Sequence, residues 1–140
     1  MFEYIEITMN NPVIERVSCY CEKCDHRFVD FIPANDELVR FKTISGAYVF
    51  LPTYGKNGYL KLLRRLVDDW DYSKEITPVI TKQFENEINK YTPYRVFYSN
   101  MISCPQCNDA RIRVEKRKTE LVDSIVWIKV DSVILENKGA

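Results

Sequence analysis

Four of the five cysteines in this chain fall in two Cys-x-x-Cys units, Cys21-Glu22-Lys23-Cys24 and Cys104-Pro105-Gln106-Cys107. Zinc takes four ligands in a tetrahedron, at about 2.3 Å from each thiolate sulfur. Two intervening residues let one tight turn aim both sulfurs at a common point. Two such turns complete a four-sulfur site. Cys21, Cys24, Cys104 and Cys107 are therefore the candidate ligands, expected to hold one structural zinc ion per chain. Iron suits a tetrahedral four-sulfur site too, and spacing does not separate the two metals.

The same sulfurs have other chemistry open to them. A redox dithiol wants one Cys-x-x-Cys at a helix N-terminus, where the dipole lowers the thiol pKa. Cys104-Pro105-Gln106-Cys107 has that look, but Asn108-Asp109 and the strand-like run 110–114 follow it rather than a helix. A disulfide framework is disfavoured by an odd cysteine count. Cys19 lies two residues before Cys21 and points the same way along an extended strand. It competes as a ligand or, the preferred reading, is a small buried hydrophobe. His26, the one histidine, is read as a residue beside the site or on the surface rather than as a ligand.

The cysteine turns need elements to carry them. Residues 2–9, 13–20, 26–32, 38–43 and 47–51 are rich in β-branched and aromatic side chains and are expected as strands, with a turn at 10–12. From Tyr59 to Trp70 the apolar residues fall at helical spacing. Asp68 and Asp69 would then close that helix, at the end where its dipole disfavours acid. A second helix is expected from Thr77-Pro78, with Ile80, Phe84, Ile88 and Tyr91 as its apolar stripe and Thr92-Pro93 as its end. Strands return at 94–101, 110–118 and 121–135. The expected fold is α+β: one zinc-stabilised domain over 1–140, a mostly antiparallel sheet with both cysteine pairs at hairpin tips, and a helical insertion at about 56–92.

Composition narrows the function. The chain has 140 residues, with 20 basic and 20 acidic side chains and a formal net charge of zero. Neutrality argues against coating nucleic acid by bulk electrostatics. No apolar stretch approaches the roughly 20 residues that span a bilayer, and the first residues lack a basic, then apolar, leader. The expectation is a soluble cytoplasmic protein with no membrane partner, in a compartment where cysteines stay reduced. Thirteen isoleucines and eleven lysines against four alanines have the flavour of A/T-rich codons, as in a low-G+C bacterium or its phage.

Catalysis is not expected. A closed four-thiolate site leaves no coordination position for water. The His-x-Glu of zinc deaminases is absent, because Arg27-Phe28 follows His26. Four glycines are too few for a phosphate cradle. The acids at 68, 69, 71, 85 and 87 read as solvated surface.

Two binding features stand out. In the run 111–118, Arg111, Arg113 and Arg117 alternate onto one face of a strand, with Lys116 and Lys118 on the other. This is a candidate patch for nucleic acid or another partner, or else the charged outer face of a sheet. The stretch 54–59, with Tyr54, Lys56 and Tyr59, is the candidate protein-contact loop, or else a plain connection into the first helix.

The segments CEKCDHRF at 21–28 and CPQC at 104–107 resemble the knuckles of zinc-ribbon proteins, with Phe28 four residues after its second cysteine. The long stretch between Cys24 and Cys104 departs from simple ribbons and implies a folded insertion, tolerable because loop-closure cost grows only logarithmically. Ribbons serve many functions, so the fold does not choose among them. In size, composition and cysteine constellation the chain is also similar to small metal-binding anti-CRISPR inhibitors of phage origin. That likeness implies a non-enzymatic protein-binding module that occludes a Cas9-type nuclease in the host cytoplasm. The alternative is a zinc-ribbon nucleic-acid-binding or transcriptional regulatory protein.

Overall fold

The computed structural model describes residues 13–55, 58–121 and 127–129. The expected strand at 2–9, the turn at 10–12, Lys56 and most of 121–135 lie outside these residues.

The chain runs β1 (Val13–Cys21), β2 (Arg27–Pro33), β3 (Leu38–Thr43), β4 (Tyr48–Pro52), α1 (Tyr59–Leu66), α2 (Pro78–Ile88), β5 (Val96–Tyr98) and β6 (Ile112–Leu121). The architecture is α+β, as the sequence implies. In place of one sheet there are two three-stranded antiparallel sheets, ordered β2-β1-β6 and β4-β3-β5. Among the described residues, no helix is long and apolar enough to cross a membrane.

The second sheet and the helices share the larger core. In α1, Tyr59, Leu62, Leu63 and Leu66 are buried, the i, i+3, i+4, i+7 stripe of an amphipathic helix. Tyr59 packs edge-on against Phe84 of α2, with ring centroids 5.0 Å apart, and against Phe41 of β3 at 5.9 Å. The helix stops at Leu66, not Trp70: Val67 has extended dihedrals and makes the last helical bond to the Leu63 carbonyl. Asp68 and Asp69 thus follow the helix. Trp70 reaches the core through a turn whose N–H donates to the Val67 carbonyl, which is why its spacing looks helical.

The second helix begins as expected. The Thr77 hydroxyl accepts the Ile80 N–H at 3.3 Å, and Pro78 opens the first turn. It ends at Ile88, because the Asn89 side chain turns to pair with both backbone groups of Val96 (3.0 and 2.7 Å). Strand β5 is shorter than 94–101. Beyond Tyr98 the Asn100 side chain, not the backbone, accepts the Arg40 N–H at 3.0 Å.

Candidate metal centre

The site is built at one end of β2-β1-β6. The first cysteine pair closes the β1–β2 hairpin, as expected. The second pair is not at a hairpin tip: β5 and β6, the strands on either side of it, belong to different sheets. It reaches the first pair because β6 runs antiparallel to β1. That register sets Ile112 against Cys21, and the Arg111 carbonyl accepts the Glu22 N–H at 3.0 Å.

The two turns are built alike. In the first, the Cys21 N–H donates to the His26 carbonyl (2.9 Å) and the Asp25 N–H to the Cys21 carbonyl (2.9 Å). In the second, the Cys104 N–H donates to the Asp109 carbonyl (3.0 Å) and the Asn108 N–H to the Cys104 carbonyl (2.8 Å). Asp25 and Asn108 both take a left-handed conformation, with φ of 63° and 61°. Asp and Asn are the non-glycine residues that enter that region at least cost.

The four sulfurs lie within 4.8 Å of one another. Cys21 and Cys107 approach to 3.6 Å, as do Cys24 and Cys104. A tetrahedron with 2.3 Å metal–sulfur bonds has sulfurs about 3.8 Å apart, whereas a disulfide bond is about 2.05 Å. The arrangement therefore fits a tetrahedral metal ion and not two disulfides. Backbone N–H groups support the sulfurs. Burial opposes ionisation of Cys104, but the Cys107 and Gln106 N–H groups, with the neighbouring thiols, hold it down at about 7. At Cys24 the His26 N–H favours the thiolate. Desolvation and the three other sulfurs outweigh it and push that thiol up to about 12. Thiolates are the form a metal takes as ligands, so metal binding at such a site releases protons.

Cys19 stands apart from the four. It is buried, and its thiol lies 3.8 Å from the Val17 carbonyl. Burial, with Asp30 nearby, pushes its pKa up. His26 stacks on Phe28 at 6.0 Å and is not among the converging ligands.

The basic run is regrouped by a feature sequence reading missed. Ser18 pairs with Lys116 and Cys19 with Val114, so Glu115 is an extra residue in β6. This β-bulge resets the alternation. Arg113, Lys116 and Lys118 share one side of the sheet, and Arg117 falls on the other, paired with Glu15 at 2.7 Å. Arg111 precedes the strand and binds Asp109 at 2.9 and 3.2 Å, holding that carboxyl down at about 2. In the candidate contact loop, Tyr54 is exposed and donates to Asp36 at 3.0 Å. Tyr59 is buried and belongs to the core, a correction that follows from its place at the head of the α1 stripe.

No protein-family model matches the chain, and no curated protein or solved structure is significantly similar to it.

Proposed function

We propose that the chain is a non-enzymatic binding module built on one structural zinc ion, held by Cys21, Cys24, Cys104 and Cys107. The observation that carries this reading is the convergence of four thiols from two like turns. Zinc is satisfied by four thiolates and has no redox chemistry of its own. With every position taken by sulfur, the ion holds the fold rather than activating water. The reading places the protein in the cytoplasm, where thiols remain available to a metal. A site absent from the unfolded chain converts metal-binding free energy into folding free energy.

The module's partner is a separate step. Occlusion of a Cas9-type nuclease rests on size, composition and the cysteine constellation, and the fold adds no feature of its own to it. A nucleic-acid partner has a specific observation in its favour, the cationic solvent face of β2-β1-β6. Elemental analysis before and after chelation, with thermal denaturation of both samples, tests the metal. We expect one zinc per chain and a loss of well over about 10 °C in Tm on stripping. A purified chain without metal, or one indifferent to chelation, would sink the reading.

A further inference from the structure

We infer that the solvent face of β2-β1-β6 binds single-stranded nucleic acid. The inference names the partner class for the binding module proposed above.

Residues opposed in antiparallel strands project from the same side of the sheet, so the register defines the face in rows. In the first row Tyr20 stands between Arg113 and Arg27. Both guanidiniums lie over its ring, at 4.6 and 4.9 Å from the centroid. In the second, Ser18 stands between Lys116 and Val29. In the third, Arg16 stands between Lys118 and Phe31. The five cations, Val29 and Phe31 are exposed. On the opposite side of the same strands, Val17, Cys19 and Asp30 are buried. Over these three rows the face therefore looks to solvent, while the opposite side is buried at Val17, Cys19 and Asp30 though exposed at Arg117; one row beyond, Ile14 is buried.

Its acids are few. Glu115, in the bulge, pairs with Arg27 at 3.2 Å and Arg113 at 3.7 Å. Asp25 accepts the Tyr20 hydroxyl at the rim. Glu120 stands opposite Ile14 in the register, one row beyond. Among the described side chains, no carboxylate lies within ion-pair distance of Arg16, Lys116 or Lys118. The chain as a whole is neutral, so this is charge concentrated on one face.

Edge lysines often guard a strand against pairing with another chain, and Lys116 and Lys118 alone would say no more. Arg16 is different. It lies on the central strand, where there is no edge to guard, and directly opposite Lys118. Like charges so opposed destabilise a sheet, and a polyanion relieves the repulsion. Exposed Phe31 and the guanidinium planes over Tyr20 add stacking surface that bases, unlike acidic side chains, can use. The rows span about 14 Å along β1 and about 10 Å across the strands, room for about two or three bases. With metal bound, the four thiolates leave about two negative charges at the cysteine end. The strand is thereby biased toward the lysine rows.

Fluorescence anisotropy with labelled twelve-nucleotide oligothymidine, oligouridine, a duplex of the same length and a polyglutamate peptide tests this. The protein is the full chain with zinc content and circular dichroism recorded. We expect both single strands to bind at 50 mM salt, and affinity to fall roughly a hundredfold by 200 mM if all five cations engage phosphates. The duplex and polyglutamate should bind at least tenfold more weakly. Replacing Arg16, Lys116 and Lys118 together by Gln should cost tenfold or more and flatten the log–log salt slope by about 2. Phe31→Ala should weaken binding roughly tenfold with the slope unchanged. Removing equal charge elsewhere, by Lys61→Gln, Arg64→Gln and Lys82→Gln, should change nothing.

No binding by folded, zinc-loaded protein overturns the inference and leaves the metal standing. Equal binding of duplex or preferential binding of polyglutamate also overturns it, the latter in favour of an acidic protein partner. Binding by a folded but metal-free chain supports the face and overturns only the zinc.

Discussion

The Arg40 guanidinium meets the Asp30 carboxylate at 3.0 Å, joining β3 of one sheet to β2 of the other. Both residues are buried, at 1% and 4% exposure. Burying a charge pair is costly unless the remaining donors are satisfied, and here they are. Arg40 also donates to the carbonyls of Phe31 (2.6 Å), Ser99 (2.6 Å) and Met101 (3.3 Å). One side chain thus ties the first sheet to the segment that leads into Cys104. The guanidinium lies 4.3 Å from the centre of the Tyr48 ring. Burial, then the hydrogen bond to Asp30, pushes the Tyr48 phenol up to about 12, so it remains a neutral donor.

Arg40→Met should therefore cost about 3–5 kcal/mol, because it leaves a buried carboxylate without its partner. Urea denaturation of the zinc-loaded protein measures this. Adding Asp30→Leu to Arg40→Met should recover much of the loss, since no charge is then stranded. A single variant as stable as the parent would show that the pair does not hold the sheets together.

The cysteines make a second prediction with an internal control. Cys21→Ser and Cys104→Ser each remove a fully buried sulfur from the cluster. Each should reduce zinc content well below one per chain and lower Tm sharply. Cys19→Ala removes a sulfur just as buried but outside the cluster. It should keep full zinc content and show only the modest loss of a small core truncation, about 1 kcal/mol. If Cys19→Ala lost metal and Cys104→Ser kept it, the ligand assignment would be wrong.

What the sequence conveyed depended on how local the signal was. The cysteine spacing, the Thr77-Pro78 helix start and the limits of β3 are written in a few adjacent residues, and the fold matches them. The bulge at Glu115 is not local, because it arises from pairing with Ser18 and Cys19. Strict alternation along 111–118 therefore put Arg117 with Arg113 and Lys116 on the wrong side. The separation into two sheets is likewise a matter of long-range pairing. Arg40 carries a local sign of the inter-sheet contact: a lone arginine in the apolar run Leu38-Val39-Arg40-Phe41, in which all four residues are buried, demands a buried acid elsewhere. The excess length read into α1 came from Trp70, which serves the core without being helical. The misplaced charge of Asp68-Asp69 was the better guide to where the helix ends.

The matching turns predict matching tolerance. Asn108 sits at φ 61°, a conformation that costs a β-branched residue about 1–2 kcal/mol. Asn108→Gly should leave stability within a few tenths of a kcal/mol of the parent or raise it. Asn108→Val should lower it by about 1–2 kcal/mol and weaken zinc retention in a chelator competition. Equal stability of the Val and Gly variants would argue that the turn is not held in this geometry.

Gly58 yields a prediction whose sign opposes the usual rule. Glycine to alanine at a compatible position stabilises by about 0.4–1 kcal/mol, through the entropy of the unfolded chain. Gly58 has a compatible backbone, with φ of −81° at the head of α1. What it lacks is room. A Cβ there would lie 2.5 Å from the Tyr54 carbonyl oxygen and 2.8 Å from its carbon. These are backbone atoms, so the clash is not relieved by a side-chain rotation. Gly58→Ala should therefore destabilise by about 1–3 kcal/mol, as overpacking does, through the start of α1 and the Tyr59 contacts to Phe41 and Phe84. Zinc content should not change, because the two cysteine turns meet at one end of β2-β1-β6, whereas α1 packs into the core of β3, β4 and β5. A urea midpoint for Gly58→Ala at or above that of the parent would show that the loop entering α1 yields where its close approach says it cannot.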